Sequence, residues 1–178
     1  MTTQSISRMT VLLTLALVSV VGQAQTAASG TLNATLVNKS GIWLIFNTDG
    51  AGVALGNTGT SAASLNFGNV AMYMTTPPAG VALTRTTTSF TVSTPFDVLV
   101  GIGGTTSTSY RLQASLQSAP GAFTFNVDSV TLATTAATVT AADPNYGTNV
   151  QHTMFLTIPA TAPAGVVSNT VNFTVTAN

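Results

Sequence analysis

Residues 110–117 read Tyr110-Arg111-Leu112-Gln113-Ala114-Ser115-Leu116-Gln117, with apolar and polar side chains in strict alternation. Successive side chains of a β-strand point to opposite faces, so this pattern predicts a strand with one face in the core and the other in water. Beyond residue 24, no stretch has the 3.6-residue periodicity of an amphipathic helix.

The same alternation recurs along the chain and predicts an all-β fold. Further alternating stretches, separated by Gly, Pro, Asn and Asp, lie at residues 89–92, 96–100, 123–127, 152–158 and 171–176. Residues 42–46 are apolar on both faces, which predicts a central strand with Trp43 in the core. Such a succession is typical of an antiparallel β-sandwich of about eight to ten strands, and a closed barrel is the alternative. Residues 50–63 are rich in small residues and predict a long loop.

The alternation also assigns a core. Apolar side chains on the inward faces of the predicted strands should be buried, whereas polar neighbours such as Gln113 should face water. The predicted core contains Tyr110, Leu112, Ala114, Leu116, Phe90, Val92, Val98, Phe123, Phe125, Leu156, Ile158, Phe173 and Val175.

The first 24 residues have the pattern of a secretory signal peptide. Arg8 is followed by an apolar stretch of about 13 residues and then by small residues that favour cleavage after Ala24. A membrane anchor is disfavoured because spanning a bilayer takes about 20 apolar residues. We therefore expect a signal peptide over residues 1–24 and one exported domain over residues 25–178, with no membrane insertion of the mature chain.

Composition argues against catalysis. Only 4% of the 178 residues are charged, four are Lys or Arg, four are Asp or Glu, and there is no Cys. This excludes disulfides, thiol nucleophiles and zinc–thiolate sites, and it disfavours nucleic acid as a partner. No Gly-x-Ser-x-Gly elbow or Asp-rich calcium loop occurs. We predict no catalytic, metal or cofactor site, and a structural role for the only histidine, His152, at a strand end or the edge of the core.

One loop could carry a ligand. Asn145, Tyr146 and Asn149 place an aromatic ring beside two amides in a turn-rich segment. Such a cluster suits a sugar, because the ring stacks on its apolar face and the amides bind its hydroxyls. It is the basis of an alternative function, a secreted carbohydrate- or surface-binding adhesin module.

Two further stretches carry a family resemblance. Residues 163–176 begin with Pro163-Ala164-Gly165 and continue into a closing alternating strand, and residues 64–70 read Ser64-Leu65-Asn66-Phe67-Gly68-Asn69-Val70. In these stretches the chain resembles bacterial fimbrial subunits of the chaperone–usher type and spore-coat-U-like secreted proteins. Unlike many pilins, it has no cysteine pair, and its last strand does not end near a tyrosine.

The resemblance implies a function and a set of partners. It implies an immunoglobulin-like, pilin-like sandwich completed by a strand from a neighbour, and hence a structural subunit of a fibre or fimbria at the cell surface. The partners would be copies of the chain or related subunits. A periplasmic chaperone and an outer-membrane assembly protein would handle the subunit before it assembles.

The N-terminal segment 25–38 is the predicted donor strand. Residues 25–30 are small or polar and predict a flexible lead without strand structure. Residues 31–36 alternate, with Leu32, Ala34 and Leu36 on one side, and these three side chains would enter the neighbouring subunit. The alternative is that this segment is the first strand of its own domain.

Overall fold

The computed structural model describes residues 25–35, 41–104 and 106–178, so the predicted signal peptide lies outside the described residues. The described residues form eleven β-strands and no helix. None of them belongs to a helix long and apolar enough to cross a membrane. The strands are β1 (Gln25–Thr35), β2 (Ile42–Asn47), β3 (Ala62–Ala71), β4 (Ala82–Arg85), β5 (Ser89–Ile102), β6 (Tyr110–Leu116), β7 (Thr124–Val127), β8 (Val130–Thr131), β9 (Ala137–Asp143), β10 (Asn149–Pro159) and β11 (Gly165–Ala177).

The strands form two sheets that pack in a β-sandwich-like arrangement. Sheet A has the order β3-β1-β11-β6-β9, and sheet B has the order β2-β5-β10-β7-β8, with β4 also paired to β5. Phe46 of sheet B meets Phe173 of sheet A with ring centroids 5.2 Å apart. Both sheets are open, so the barrel that the sequence left as an alternative is not adopted by the described residues.

One strand pair departs from the predicted antiparallel arrangement. β1 pairs with β11 in parallel, over ten residue pairs from Thr26–Gly165 to Thr35–Thr174. Parallel neighbours need a long connection between them. β1 and β11 are the first and last described strands, so the rest of the domain provides that connection.

The predicted core is confirmed at all but one position. Twelve of its thirteen side chains are buried, and Phe123, which lies just before β7, is only partly buried. In β6 the alternation holds as predicted, because Leu112 is fully buried while its neighbour Gln113 is partly exposed. The predicted loop at residues 50–63 is confirmed as far as Ser61, and β3 begins at Ala62.

β5 is one long strand where the sequence suggested two. Its fourteen residues run through Pro95, which has no N–H to donate to a sheet. On one side β10 pairs with β5 over this point, whereas on the other side β4 begins opposite Ser93 and β2 ends opposite Asp97. The carbonyl of Pro95 points to that gap, where it lies against Gly52. The missing donor therefore faces a place without a partner strand.

The prediction that residues 42–46 form a central strand is wrong. β2 is the edge strand of sheet B, and Trp43 is 41% exposed on its outer face. Ile42, Leu44 and Phe46 are buried, so only one face of the strand belongs to the core. The sequence alone does not distinguish an apolar residue on the outer face of an edge strand from one in a central strand, because in both cases its neighbours along the strand are buried apolar residues.

A β-bulge in β3 accounts for the Phe-Gly-Asn-Val stretch. Against β1, the register shifts between Ala28, which is opposite Gly68, and Ser29, which is opposite Asn66. Gly68 has a positive φ of 74°, as the glycine of such a bulge does, and its N–H donates to the Asn66 side chain over 2.8 Å. The extra residue shifts the alternation of inward and outward side chains, so Phe67 and Val70, which are three positions apart, are both buried in the core.

Candidate functional site

β1 occupies a slot in its own domain. It pairs in parallel with β11 on one edge and antiparallel with β3 on the other, so both of its edges are hydrogen-bonded inside sheet A. In the single chain, the N-terminal segment is thus the first strand of its own sheet. Strand exchange between copies would place the same strand in the same slot of a neighbour.

The inward face of β1 closes the core. Ala28 and Leu32 are buried, with 0% and 1% of their surface exposed. Gly30 lies between them, and a cavity of about 10 Å³ remains beneath it. The apolar side chains that line this cavity come from both sheets and are Leu32, Leu65, Phe67, Phe125, Met154, Leu156 and Val171.

The three predicted donor residues fare differently. Leu32 points into the core as expected. Ala34 lies in β1 opposite Phe173 of β11, but its side chain is outside the described part of the molecule, as is the whole of Leu36. The predicted flexible lead is wrong, because residues 25–30 are part of β1 and pair with β3 and β11. The backbones of two neighbouring strands impose an extended structure on residues whose own strand propensity is low.

His152 is buried and has a partner that the sequence did not suggest. Only 4% of its side chain is exposed, and its Nδ1 lies 2.8 Å from Oδ2 of Asp128. Asp128 is the first residue after β7, has a positive φ of 53°, and also accepts a hydrogen bond from the Thr153 N–H over 2.8 Å. Burial alone would raise the pKa of Asp128, but these hydrogen bonds and the nearby imidazole outweigh it and hold the pKa below its ordinary value of 3.8.

This pair has the orientation of two members of a catalytic triad but lacks the third. In a triad the other imidazole nitrogen faces a nucleophile. Here Nε2 is buried without a hydrogen-bond partner among the described residues, and the ring lies against Phe96 with centroids 6.0 Å apart. The arrangement fastens the β7–β8 hairpin to β10, because Asp128 also donates its own N–H to the Thr153 carbonyl over 2.8 Å.

The residues of the predicted ligand loop make hydrogen bonds and ring contacts with other residues of the domain. The Tyr146 hydroxyl donates to the Ser109 carbonyl over 2.7 Å, and its ring packs on Tyr110 with centroids 5.3 Å apart. The Asn145 N–H donates to the carboxylate of Asp143. Asn149 is held elsewhere, on sheet B, where its side-chain oxygen accepts from Asn47 over 2.8 Å. The Tyr146 hydroxyl and the Asn149 side-chain oxygen thus each have a hydrogen-bond partner within the domain.

Ionisable groups are few and dispersed. Burial, reinforced by the nearby Asp143, raises the pKa of Tyr110 far above its ordinary value, so its hydroxyl stays neutral. Within residues 25–35, 41–104 and 106–178, no three His, Cys, Asp or Glu side chains converge as a metal site would require.

No protein-family model matches the chain, and no curated protein is significantly similar to it.

Proposed function

We propose that this protein is a secreted structural subunit that polymerises into a cell-surface fibre by exchanging β1 between copies. The observation that carries the proposal is the position of β1 at the start of the predicted mature chain, paired on both edges and buried on its inner face. The proposal includes an immunoglobulin-like, pilin-like sandwich, completed in the fibre by the strand of a neighbour.

Exchange of β1 between copies leaves no contact of this strand unmade in the assembled fibre. When β1 leaves its own slot and enters that of the next copy, its pairing with β3 and β11 and the burial of Leu32 are regained there. Burying one Leu side chain contributes about 1.5–3 kcal/mol, and a subunit with an empty slot loses this contribution. Each subunit must therefore have its slot filled. If every β1 fills the next subunit, the contact is head-to-tail and a fibre results.

Charge does not oppose this assembly. The predicted mature chain, residues 25–178, carries three Lys or Arg and four Asp, so its formal net charge is only −1. Proteins near zero net charge have little electrostatic repulsion between copies.

The empty slot also explains why assembly partners belong to the proposal. Without β1, the facing edges of β3 and β11 would expose unpaired N–H and C=O groups, which is a hazard for aggregation. A periplasmic chaperone would cover the slot, and an outer-membrane assembly protein would hand the subunit to the fibre, whose members are copies of this chain or related subunits.

Cysteine trapping tests the exchange in the chain from Gln25 to Asn178, which has no cysteine of its own. Thr31 of β1 is opposite Ser64 of β3, and both are exposed. Ser64 directs its N–H and C=O to Gly56, so it forms a non-hydrogen-bonded pair with Thr31. The Cα atoms of such a pair are about 4.5 Å apart, which a disulfide can span.

The result separates strand exchange from a closed monomer. Thr31→Cys chains refolded and oxidised together with Ser64→Cys chains should form covalent dimers, and the double variant should form a reducible ladder of polymers. Thr31→Cys mixed with Arg111→Cys is the matched control, because Arg111 is exposed on β6, which is not a neighbour of β1. Intrachain disulfides alone in the double variant, with no more dimer than in the control mixture, would refute the proposal.

A further inference from the structure

The outer face of sheet B carries a second feature that strand exchange does not use. At the end of this face, cross-strand rows run from β2 through β5 to β10. We call this region the Trp43 face. It consists of the row Trp43–Gly101, the row Ile45–Leu99–Asn149, the row Asn47–Asp97–Gln151, and Asp49, whose carboxylate accepts from Gln151 over 2.6 Å.

Trp43 forms the apolar end of the face. It is the only tryptophan of the chain and is 41% exposed. Its indole packs directly on the backbone of Gly101, since a Cβ at that position would lie 2.0 Å from two of the ring carbons. Gly101 therefore has to lack a side chain for the ring to lie there. A large aromatic surface is thus held in place at the edge of the sheet and remains accessible to solvent.

The polar end of the face consists of fixed amides and carboxylates. The Asn47 side chain donates to Asn149 over 2.8 Å, and the Gln151 side chain donates to Asp49 over 2.6 Å. These contacts order the groups and leave the Asn47 and Gln151 amide oxygens to accept further hydrogen bonds. Asn149 and Gln151 are exposed, and Asp97 lies between Asn47 and Gln151 in the same row.

This combination selects a class of ligand. A sugar ring has an apolar C–H face that suits an indole and hydroxyls that suit amides and carboxylates. The described residues of the face include two carboxylates and no Lys or Arg, which disfavours phosphates and polyanions. A protein partner would need a larger apolar centre, and Trp43 is the one large exposed hydrophobic side chain among the described residues of this face.

We propose that the Trp43 face binds a neutral, extended carbohydrate chain. Trp43 stacks on one sugar ring, and Asn47, Asp97, Asn149 and Gln151 hold the hydroxyls of rings further along. Trp43 and Asn47 are four residues apart on one strand, about 13 Å at the usual rise, so the ligand spans more than one sugar. The face belongs to sheet B, so the proposal does not depend on exchange of β1, which belongs to sheet A.

The single tryptophan makes the test direct. Because Trp43 is the only source of tryptophan fluorescence, its emission reports on this face alone. The mature chain is titrated with cellohexaose, laminarihexaose and maltohexaose to about 10 mM, tenfold above a dissociation constant of about 1 mM. A saturable change in emission is expected with at least one of them. Calorimetry with that oligosaccharide should then show loss of binding in Trp43→Ala.

Variants at exposed positions separate binding from folding. Gln151→Ala and Asn149→Ala should each weaken binding of the same oligosaccharide several-fold, about tenfold if one hydrogen bond worth roughly 1.4 kcal/mol is lost. Tyr73→Ala, which removes an aromatic ring that is 65% exposed elsewhere, should bind like the unchanged protein. Three results would overturn the proposal. The first is an emission that changes with none of the three oligosaccharides, and the second is one that changes only with heparin, which is a polyanion. The third is that Gln151→Ala and Asn149→Ala both bind the oligosaccharide as tightly as the unchanged protein does.

Discussion

Asp128 joins the turn after β7 to β10 through both its side chain and its backbone. Its carboxylate accepts from His152 and from the Thr153 N–H, and its own N–H donates to the Thr153 carbonyl. The sequence indicated a structural role for His152 at a strand end or the edge of the core. It could not indicate the partner, because Asp128 is 24 residues away and the pairing of β7 with β10 has no local signature.

The depressed pKa of Asp128 predicts how stability depends on pH. A carboxyl whose pKa is lower in the folded than in the unfolded state stabilises the fold above the unfolded value, and this contribution disappears as pH falls through the folded value. The stability advantage of the unchanged protein over Asp128→Asn should therefore be complete above about pH 4, close to the ordinary pKa of 3.8, and should shrink at lower pH.

Urea denaturation of both proteins between pH 2 and pH 6 measures this difference. Added salt should reduce it, because the Asp128 side chain is 41% exposed and its interactions are partly screened. A difference that stays constant with pH would contradict the assigned role of the carboxylate.

Two neighbours in β6 test the facing of that strand. Leu112 is fully buried, and Leu112→Ala should lower the free energy of unfolding by about 2–5 kcal/mol, the usual range for emptying a core Leu. Gln113 is partly exposed on the opposite face, and Gln113→Ala should cost about 0.5 kcal/mol or less. Equal denaturant midpoints for the two variants would mean that the strand or its facing is wrong.

At the scale of the strands, alternation predicts which side chains are buried but not which strands are neighbours. It correctly assigned the core positions of β6, β10 and β11, because burial on one face is a local property of the sequence. It did not reveal that β2 is an edge strand or that residues 25–30 pair at all, because both depend on strands far away in the chain. The same limit hid the Trp43 face, whose rows join three strands.

Alanine substitution of two glycines on the neighbouring strands β1 and β3 should change the stability of the fold in opposite directions. Gly68 has a φ of 74°, and a Cβ there would lie 3.3 Å from Pro78, so Gly68→Ala should cost about 1–2 kcal/mol. At Gly30 φ is not in the left-handed region, and the nearest atoms to a Cβ are 3.8 and 3.9 Å away. Gly30→Ala should therefore stabilise the fold by roughly 0.5–1 kcal/mol.

Thermal unfolding of the two variants beside the unchanged protein gives the comparison. Destabilisation by Gly30→Ala would mean that β1 is packed more tightly at this point than the cavity beneath it indicates.

At the scale of the whole molecule, the domain depends on its first strand. A chain that begins at Gly41 lacks β1 and would leave the apolar side chains of the slot, among them Leu65 and Phe67, exposed between β3 and β11. We expect this variant to aggregate or to bind hydrophobic dyes. The peptide of residues 25–35 added during refolding should restore a monomeric, folded complex.

The same peptide with Leu32→Asp is the control. It places a charge where 1% of the surface is exposed and should not restore folding. Size-exclusion chromatography and circular dichroism distinguish the outcomes. Normal folding of the truncated chain without any peptide would show that the slot does not need to be filled.

The parallel pairing of β1 with β11 determines how the molecule responds to tension. The two strands run in the same direction over ten residue pairs, so a pull on the first residue of β1 and on the last residue of β11 acts along the strands in opposite directions. The load then falls on the whole ladder in shear, and its hydrogen bonds must fail together instead of opening one after another as in a zipper.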